Sequence, residues 1–229
     1  MGEYRFDENY EEQATLSDGT VVVLRCVRPS DKPLLTEGLA HLSKESRYRR
    51  FLTDRDHLSG QELRYLTEID GIDHFALGAV RTGDETPDSG VGIARFVRLL
   101  DEPTVAEAAI AVVDEEQRKG LGKILLSRLN KAALERGILC FRSDILADNE
   151  PMLSLVDTIA PEALTRAQTS LDNTGLFTVD LELHAEREPR DAPHRSPMEE
   201  LLKAAADGAA VANQALVAFI HWMGHPTGS

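Results

Sequence analysis

Cysteine is scarce in this chain and positive charge is in deficit. Its 229 residues include two cysteines, Cys26 and Cys140, each inside an apolar run. Two cysteines make no disulfide framework and fit a reducing compartment. No Cys/His cluster occurs. His221 and His225 stand one helical turn apart, but Gly224 breaks the helix between them, so no metal site is expected. There are 25 Lys and Arg against 39 Asp and Glu, a net charge of −14. General nucleic-acid binding needs a basic surface to neutralise phosphates, so no nucleic-acid partner is expected. An acidic surface instead suits a cationic acceptor, such as an amine or a lysine on another protein. No apolar stretch reaches bilayer-spanning length, and Met1-Gly2-Glu3-Tyr4-Arg5 lacks the apolar core of a signal peptide. The expectation is a cytoplasmic protein with no membrane partner. Nucleophile-elbow motifs and internal repeats are absent as well.

What is present centres on Val112-Val113-Asp114-Glu115-Glu116-Gln117-Arg118-Lys119-Gly120-Leu121-Gly122-Lys123. The apolar run Ala108 to Val113 reads as a buried strand, a charged turn follows, and two glycines open an amphipathic helix. Such a helix start presents unpartnered N–H groups and the positive end of the dipole, which together favour a phosphate. Arg118, Lys119 and Lys123 add positive charge. A dinucleotide fingerprint would need glycine where Leu125 stands. A P-loop would need glycine at Gln117 and Ser or Thr at Ile124. What remains is Gln-x-x-Gly-x-Gly.

The chain divides into an N-terminal arm (1–19), a main domain (20–184), a linker (185–197) and a C-terminal helix (198–224). The arm is polar and acidic and reads as loosely held. Thr20 to Val27 is a strand. Pro29-Ser30-Asp31 supplies a stop and a helix cap, with Leu34, Leu35, Leu39 and Leu42 following at helical spacing. A second helix covers Lys44 to Phe51, whose Arg47, Arg49 and Arg50 either face an anionic ligand or form a solvated face. Ser59-Gly60-Gln61-Glu62 is a capping box, starting a helix that runs to about Glu68. Strands are predicted over His74 to Arg81, Val91 to Arg98 and Val105 to Val113. The motif helix ends at Gly137, and Ile138 to Ser143 is the next strand, parallel to the motif strand through a crossover. Another helix opens at Asp148, and Leu176 to Leu183 alternates as a half-buried strand. Beyond the linker, Leu202, Ala205, Ala209, Ala212, Leu216, Phe219 and Met223 recur at steps of three and four. That seam leaves open a homodimer through the helix or docking onto its own domain.

The Gln-x-x-Gly-x-Gly turn, set between strand and helix within this element order, resembles the pyrophosphate loop of the GNAT superfamily of acyl-CoA-dependent N-acetyltransferases. Asp148-Asn149-x-Pro-Met after the following strand is similar to a second landmark of that family. Leu24 to Asp31 and Leu42 to Phe51 resemble the corresponding parts of the bacterial Pat-type protein lysine acetyltransferases. The resemblance implies an α/β (α+β) domain of the GNAT fold, a central mixed sheet flanked by helices, with a C-terminal helical appendage. It implies acetyl-CoA as cosubstrate. Ile110, Ala111 and Val112 would pair their backbone with the pantetheine arm, Gln117, Arg118, Lys119, Gly120, Leu121, Gly122 and Lys123 would wrap the pyrophosphate, and Asn149 would touch the cosubstrate further along. Glu107 falls where Pat-type enzymes carry a general base. Its small, apolar neighbours would push its pKa toward the working pH.

The chain also departs from the family pattern. Many members carry a tyrosine after the asparagine as acid for the departing thiolate, whereas no tyrosine follows Tyr65 here. The Gly-Phe signature after the position of Ile159 is absent too. The reading is an N-acetyltransferase acting on a primary amine, with a protein lysine as leading acceptor. Acetylation of a small amine is the same-fold alternative, and a catalytically silent CoA-binding regulator is the alternative from another class.

Overall fold

A computed structural model describes residues 4–51, 56–82, 88–146 and 176–183. Asn149, the helix expected from Asp148, the linker and the C-terminal helix with its dimer reading lie outside the described residues. Among the described residues, seven strands form one sheet in chain order. They are β1 (Glu11–Thr15), β2 (Val21–Cys26), β3 (His74–Arg81), β4 (Ser89–Arg98), β5 (Val105–Val112), β6 (Cys140–Leu146) and β7 (Leu176–Glu182). Every neighbouring pair is antiparallel except β5–β6, which is parallel. The crossover between those two strands is the helix α4 (Leu121–Glu135), as the strand–helix–strand order requires. The helices α1 (Lys32–Ala40), α2 (Lys44–Phe51) and α3 (Gly60–Thr67) fall between β2 and β3.

Strand alternation assigns the two faces. Ala106, Ala108 and Ile110 of β5 pack with Leu121, Leu125 and Leu129 of α4 in the main core. Ala111 packs instead beside Leu39, Leu42 and Leu66 of the smaller cluster under α1 and α3. Even positions of β5 therefore face α4 and odd positions face the N-terminal helices. Contact with α4 is close. A Cβ on Gly92 would lie 3.0 Å from Leu125 and 3.1 Å from Leu121, so any larger residue there would have to push these leucine side chains aside.

The N-terminal arm is not loose. Phe6 is 1% exposed and Tyr10 is buried. Residues 11–15 pair antiparallel with β2 as an edge strand. Arg136, at the end of α4, locks the arm down by donating from Nη2 to the Phe6 carbonyl at 2.7 Å. The polar composition of the arm hid two buried aromatic anchors. A second difference concerns Asp31. Its carboxylate does not cap α1. It accepts from Arg25 at 2.7 and 2.8 Å and from the Arg28 amide at 2.8 Å, because a partly buried guanidinium is the stronger partner. The Ser59 capping box forms as expected.

Candidate active site

The parallel pair β5–β6 is short. Val105, Ala106 and Glu107 pair with Cys140, Phe141 and Arg142, and the register goes no further. From there β5 continues to Val112 beside β4, and β6 continues to Leu146 beside β7. Among the described residues the strands part after Glu107 and Arg142 into a fork. Its inner β5 edge is the backbone of Ala108 to Val112, which includes the sequence-predicted Ile110, Ala111 and Val112. A strand edge with unpaired N–H and C=O groups can accept an extended, amide-containing ligand as an added strand.

At the open end of β5 the chain makes a 3-10 turn, Asp114–Glu116, and then enters α4. Gln117 braces this turn. Its Nε2 donates to the Val112 carbonyl at 3.1 Å, to Asp114 Oδ1 at 3.2 Å and to Ser46 Oγ of α2 at 3.3 Å. Arg118 adopts φ +61°, rare for a residue with a side chain. Gly120 follows at φ +90° with nothing within 4 Å of where a Cβ would stand. It is the N-cap of α4 and supplies no side-chain cap. The first bond inside the helix runs from the Ile124 amide to the Gly120 carbonyl at 3.2 Å. The amides of Leu121, Gly122 and Lys123 therefore have no partner within the helix, which is the geometry that binds phosphate.

The basic side chains divide by role. Arg118 and Lys123 are exposed at this end. Lys119 is engaged elsewhere, donating to Asp18 at 2.9 Å and to Glu116 at 3.1 Å. Glu116 also accepts from Arg81 at 2.9 Å. Lys119 thus ties the turn to the N-terminal arm. Arg47 of α2 is half-buried, and its Nε is buried without a hydrogen-bond partner.

Glu107 stands at the crotch of the fork, 8% exposed, on the face of the N-terminal helices. It lies opposite Val97 on one side and Arg142 on the other. Arg142 donates to Asp180 at 2.8 and 2.9 Å and to Glu102 at 2.5 Å. The buried carboxylate and the open edge of the fork thus follow one another along β5, and the glycine turn comes after its end. Asp144 and Arg95, both buried on the same face, gave no signal in the sequence. Arg95 sits in Gly92-Ile93-Ala94-Arg95-Phe96, where alternation reads as a solvent-facing charge. Its lack of exposure, with the guanidinium 5.1 Å from the ring centroid of Tyr65 of α3, shows it to be inside. Among the described residues no group of three His, Cys, Asp or Glu side chains could hold a metal.

Residues 39–157 match the acetyltransferase (GNAT) family. Acetyltransferase Pat of Mycolicibacterium smegmatis is 32% identical over 183 residues, which is 75% of this chain and 52% of that protein. The chain therefore spans about half the length of that relative. Acetyltransferase PA5475 of Pseudomonas aeruginosa is 28% identical over 141 residues, 62% of this chain and 75% of that protein. Among solved structures, the GNAT domain of S. lividans PAT superposes with a TM-score of 0.63 at 23% identity, covering 78% of this chain and 99% of that one. That likeness establishes the fold. Together with the matched residues, it makes this chain a member of the GNAT acetyltransferase family.

Proposed function

We propose that this chain transfers the acetyl group of acetyl-CoA to a primary amine, and that the acceptor is a lysine side chain of another protein. One arrangement carries the reading. The buried Glu107 and the open edge of β5 lie in that order along one strand, and the uncapped glycine turn follows at its end. The residues fit the cosubstrate. The amides of Leu121, Gly122 and Lys123, with Arg118 and Lys123 beside them, suit a pyrophosphate. The edge of Ala108 to Val112 suits the amides of pantetheine, and Asn149, outside the described residues, is assigned the contact further along by the family resemblance. Lys119 contributes by bracing the turn, since two carboxylates already engage it.

In this mechanism Glu107 takes a proton from the ammonium of the acceptor, through water. The free amine attacks the thioester carbonyl, and backbone N–H groups of β5 stabilise the developing oxyanion. The C–S bond then breaks, and coenzyme A leaves as the thiolate and is protonated. Lysine as acceptor is supported by the 32% identity to Pat and by the net charge of −14. The thiols of Cys26 and Cys140 are both free, in keeping with a reducing cytoplasm. Among the described residues no helix is long and apolar enough to cross a membrane. One observation favours the silent CoA-binding alternative: no tyrosine follows Tyr65 to protonate the thiolate.

Turnover separates the readings. Incubation with acetyl-CoA and a cell extract should yield new enzyme-dependent acetyl-lysines by mass spectrometry. Modification of polyamines alone would shift the assignment to a small amine. Glu107→Gln keeps the size of the side chain but cannot take the proton, and should lower kcat by roughly 10²–10⁴ with acetyl-CoA affinity nearly unchanged. Full activity in that variant, with chemistry rate-limiting, would remove Glu107 from the mechanism.

A further inference from the structure

The two faces of the central strands are not equally dry. On the α4 face, Leu77, Ala94 and Ile110 are successive partners across β3, β4 and β5, and all three are buried. On the face of α1 and α3 the neighbouring row is Gly78, Ile93 and Ala111. All three of these are partly exposed, although they lie in the middle of the sheet with helices over them. A packed interior leaves few voids larger than a water molecule, so this wet row requires an explanation.

Helix α1 touches the sheet at one place. A Cβ on Gly38 would lie 3.2 Å from the Gly90 carbonyl oxygen, and a Cβ on Gly90 would lie 3.1 Å from that of Leu34. Beyond this contact the floor of Gly78 and Ala111 is too small to fill the space beneath the leucines of α1 and Leu66 of α3. A groove of about 90 Å³ remains, several times the roughly 10–15 Å³ that one water needs. Arg25 and Asp31 are the charged residues that line it, and they bind each other at 2.7 and 2.8 Å. The groove thus presents apolar walls and no net charge, which suits hydrocarbon and not an ammonium or a phosphate.

We propose that this groove receives the hydrocarbon chain of a longer acyl donor, so that straight-chain acyl groups such as butyryl are transferred as well as acetyl. This rests on the reading of the β5 edge as the seat of the acyl-CoA. Ala111 joins the two features: its backbone belongs to the open edge, and it lines the groove. A chain hanging from a thioester on that edge has the groove beside it. The transfer itself is unchanged. The amine nitrogen bonds to the thioester carbon, Glu107 takes the proton of the amine, the C–S bond breaks and coenzyme A leaves as the thiolate. The acceptor lysine is the poorer occupant, because its ammonium would find no net negative charge in the groove.

The test is calorimetric titration of the full chain with acetyl-CoA and butyryl-CoA, which needs no acceptor. Each methylene buried in an apolar cavity tightens binding about fourfold, so butyryl-CoA should bind roughly 10-fold tighter than acetyl-CoA. Gly78→Val then fills the floor. A Cβ there would stand 3.6 Å from Val27 and 4.0 Å from the Arg25 carbonyl oxygen, both ordinary contacts. The variant should bind acetyl-CoA as the wild type does and lose the gain for butyryl-CoA. A retained gain in folded Gly78→Val puts the chain elsewhere and overturns the proposal.

A second variant serves if Gly78→Val fails to fold. Ile93→Ala lengthens the groove and should raise the affinity for hexanoyl-CoA relative to butyryl-CoA above the wild-type ratio. An unaltered ratio overturns the proposal. So does equal or weaker binding of butyryl-CoA than of acetyl-CoA by the wild type. The groove would then belong to the acceptor if apolar residues beside the target lysine raised kcat/KM across a peptide series. A wild type that binds no acyl-CoA at all would bring down the reading of the β5 edge, and this proposal with it.

Discussion

Two helices of this protein begin in opposite ways. At the start of α3, Ser59 Oγ accepts from the Glu62 amide at 3.2 Å and the Ser59 amide donates to Glu62 Oε2 at 2.7 Å. At the start of α4, Gly120 offers no side chain, and open space surrounds the place a Cβ would occupy. Length and burial explain how both persist. Helix α3 has 8 residues and needs its cap. Helix α4 has 15, and Leu121, Leu125, Leu129, Ala132 and Ala133 bury its stripe against the sheet. A helix secured by its packed face can leave its first amides open. The sequence separates a start built for stability from one kept for a ligand by Ser-x-x-Glu against Gly-x-Gly.

The sharpest way to break the contrast is to fill the open start. Gly120→Asp places a carboxylate at the proposed phosphate site, and aspartate tolerates the left-handed conformation better than most residues. A like charge in contact costs several kcal/mol, so acetyl-CoA affinity should fall on the order of 100-fold or more. The readout is thermal stability. Acetyl-CoA at a hundred times its dissociation constant should stabilise the wild-type fold by about 2.7 kcal/mol, and the same concentration should do almost nothing for the variant. Undiminished stabilisation in Gly120→Asp would mean that the pyrophosphate binds elsewhere.

The converse change sharpens the contrast. Ser59→Ala opens the start of α3 and leaves the Glu62 amide without its side-chain acceptor. It should cost about 1 kcal/mol of stability by denaturant melting, with acetyl-CoA affinity unchanged. A change in affinity with no loss of stability would show that the two helix starts are not functionally separate.

Local signals made both starts legible. A capping box and a glycine turn are fixed by neighbours within a few residues, so Ser59, Gln117, Gly120 and Gly122 could be read directly. Strand β5 and its parallel partner were legible from the apolar run and the crossover. The fork was not, because the point where β5 leaves β6 depends on pairing between residues over thirty positions apart. Arg95 was hidden for a similar reason: one charged residue in an alternating strand reads as exposed until α3 is known to cover it. The arm misled because composition averages over Phe6 and Tyr10, which act singly. The position of Asn149 lies outside the described residues.

The smallest expected effect concerns how α4 is held without a cap. Its back is tied to the N-terminal arm at two carboxylates. Glu12 accepts from Arg128 at 2.6 and 2.9 Å, and Asp18 accepts from Lys119 at 2.9 Å. The hydrogen bonds from Arg128 lower the Glu12 pKa to about 2, and the one from Lys119 does the same for Asp18. Both folded values lie below the ordinary ones. The stabilisation they provide is therefore complete above about pH 5 and is lost as the pH falls through the range from about 4.5 to 2. Because the Glu12–Arg128 pair is partly exposed, Glu12→Gln should cost only about 0.2–1 kcal/mol at neutral pH. It should also flatten the acid side of the stability curve. The loss should fall on the α4–arm contact, with faster amide exchange in residues 11–15 and an unaltered start of α3. If acid or Glu12→Gln instead loosened α3 and left the arm protected, the packed stripe alone would secure α4. The arm would then contribute nothing to keeping its first turn open.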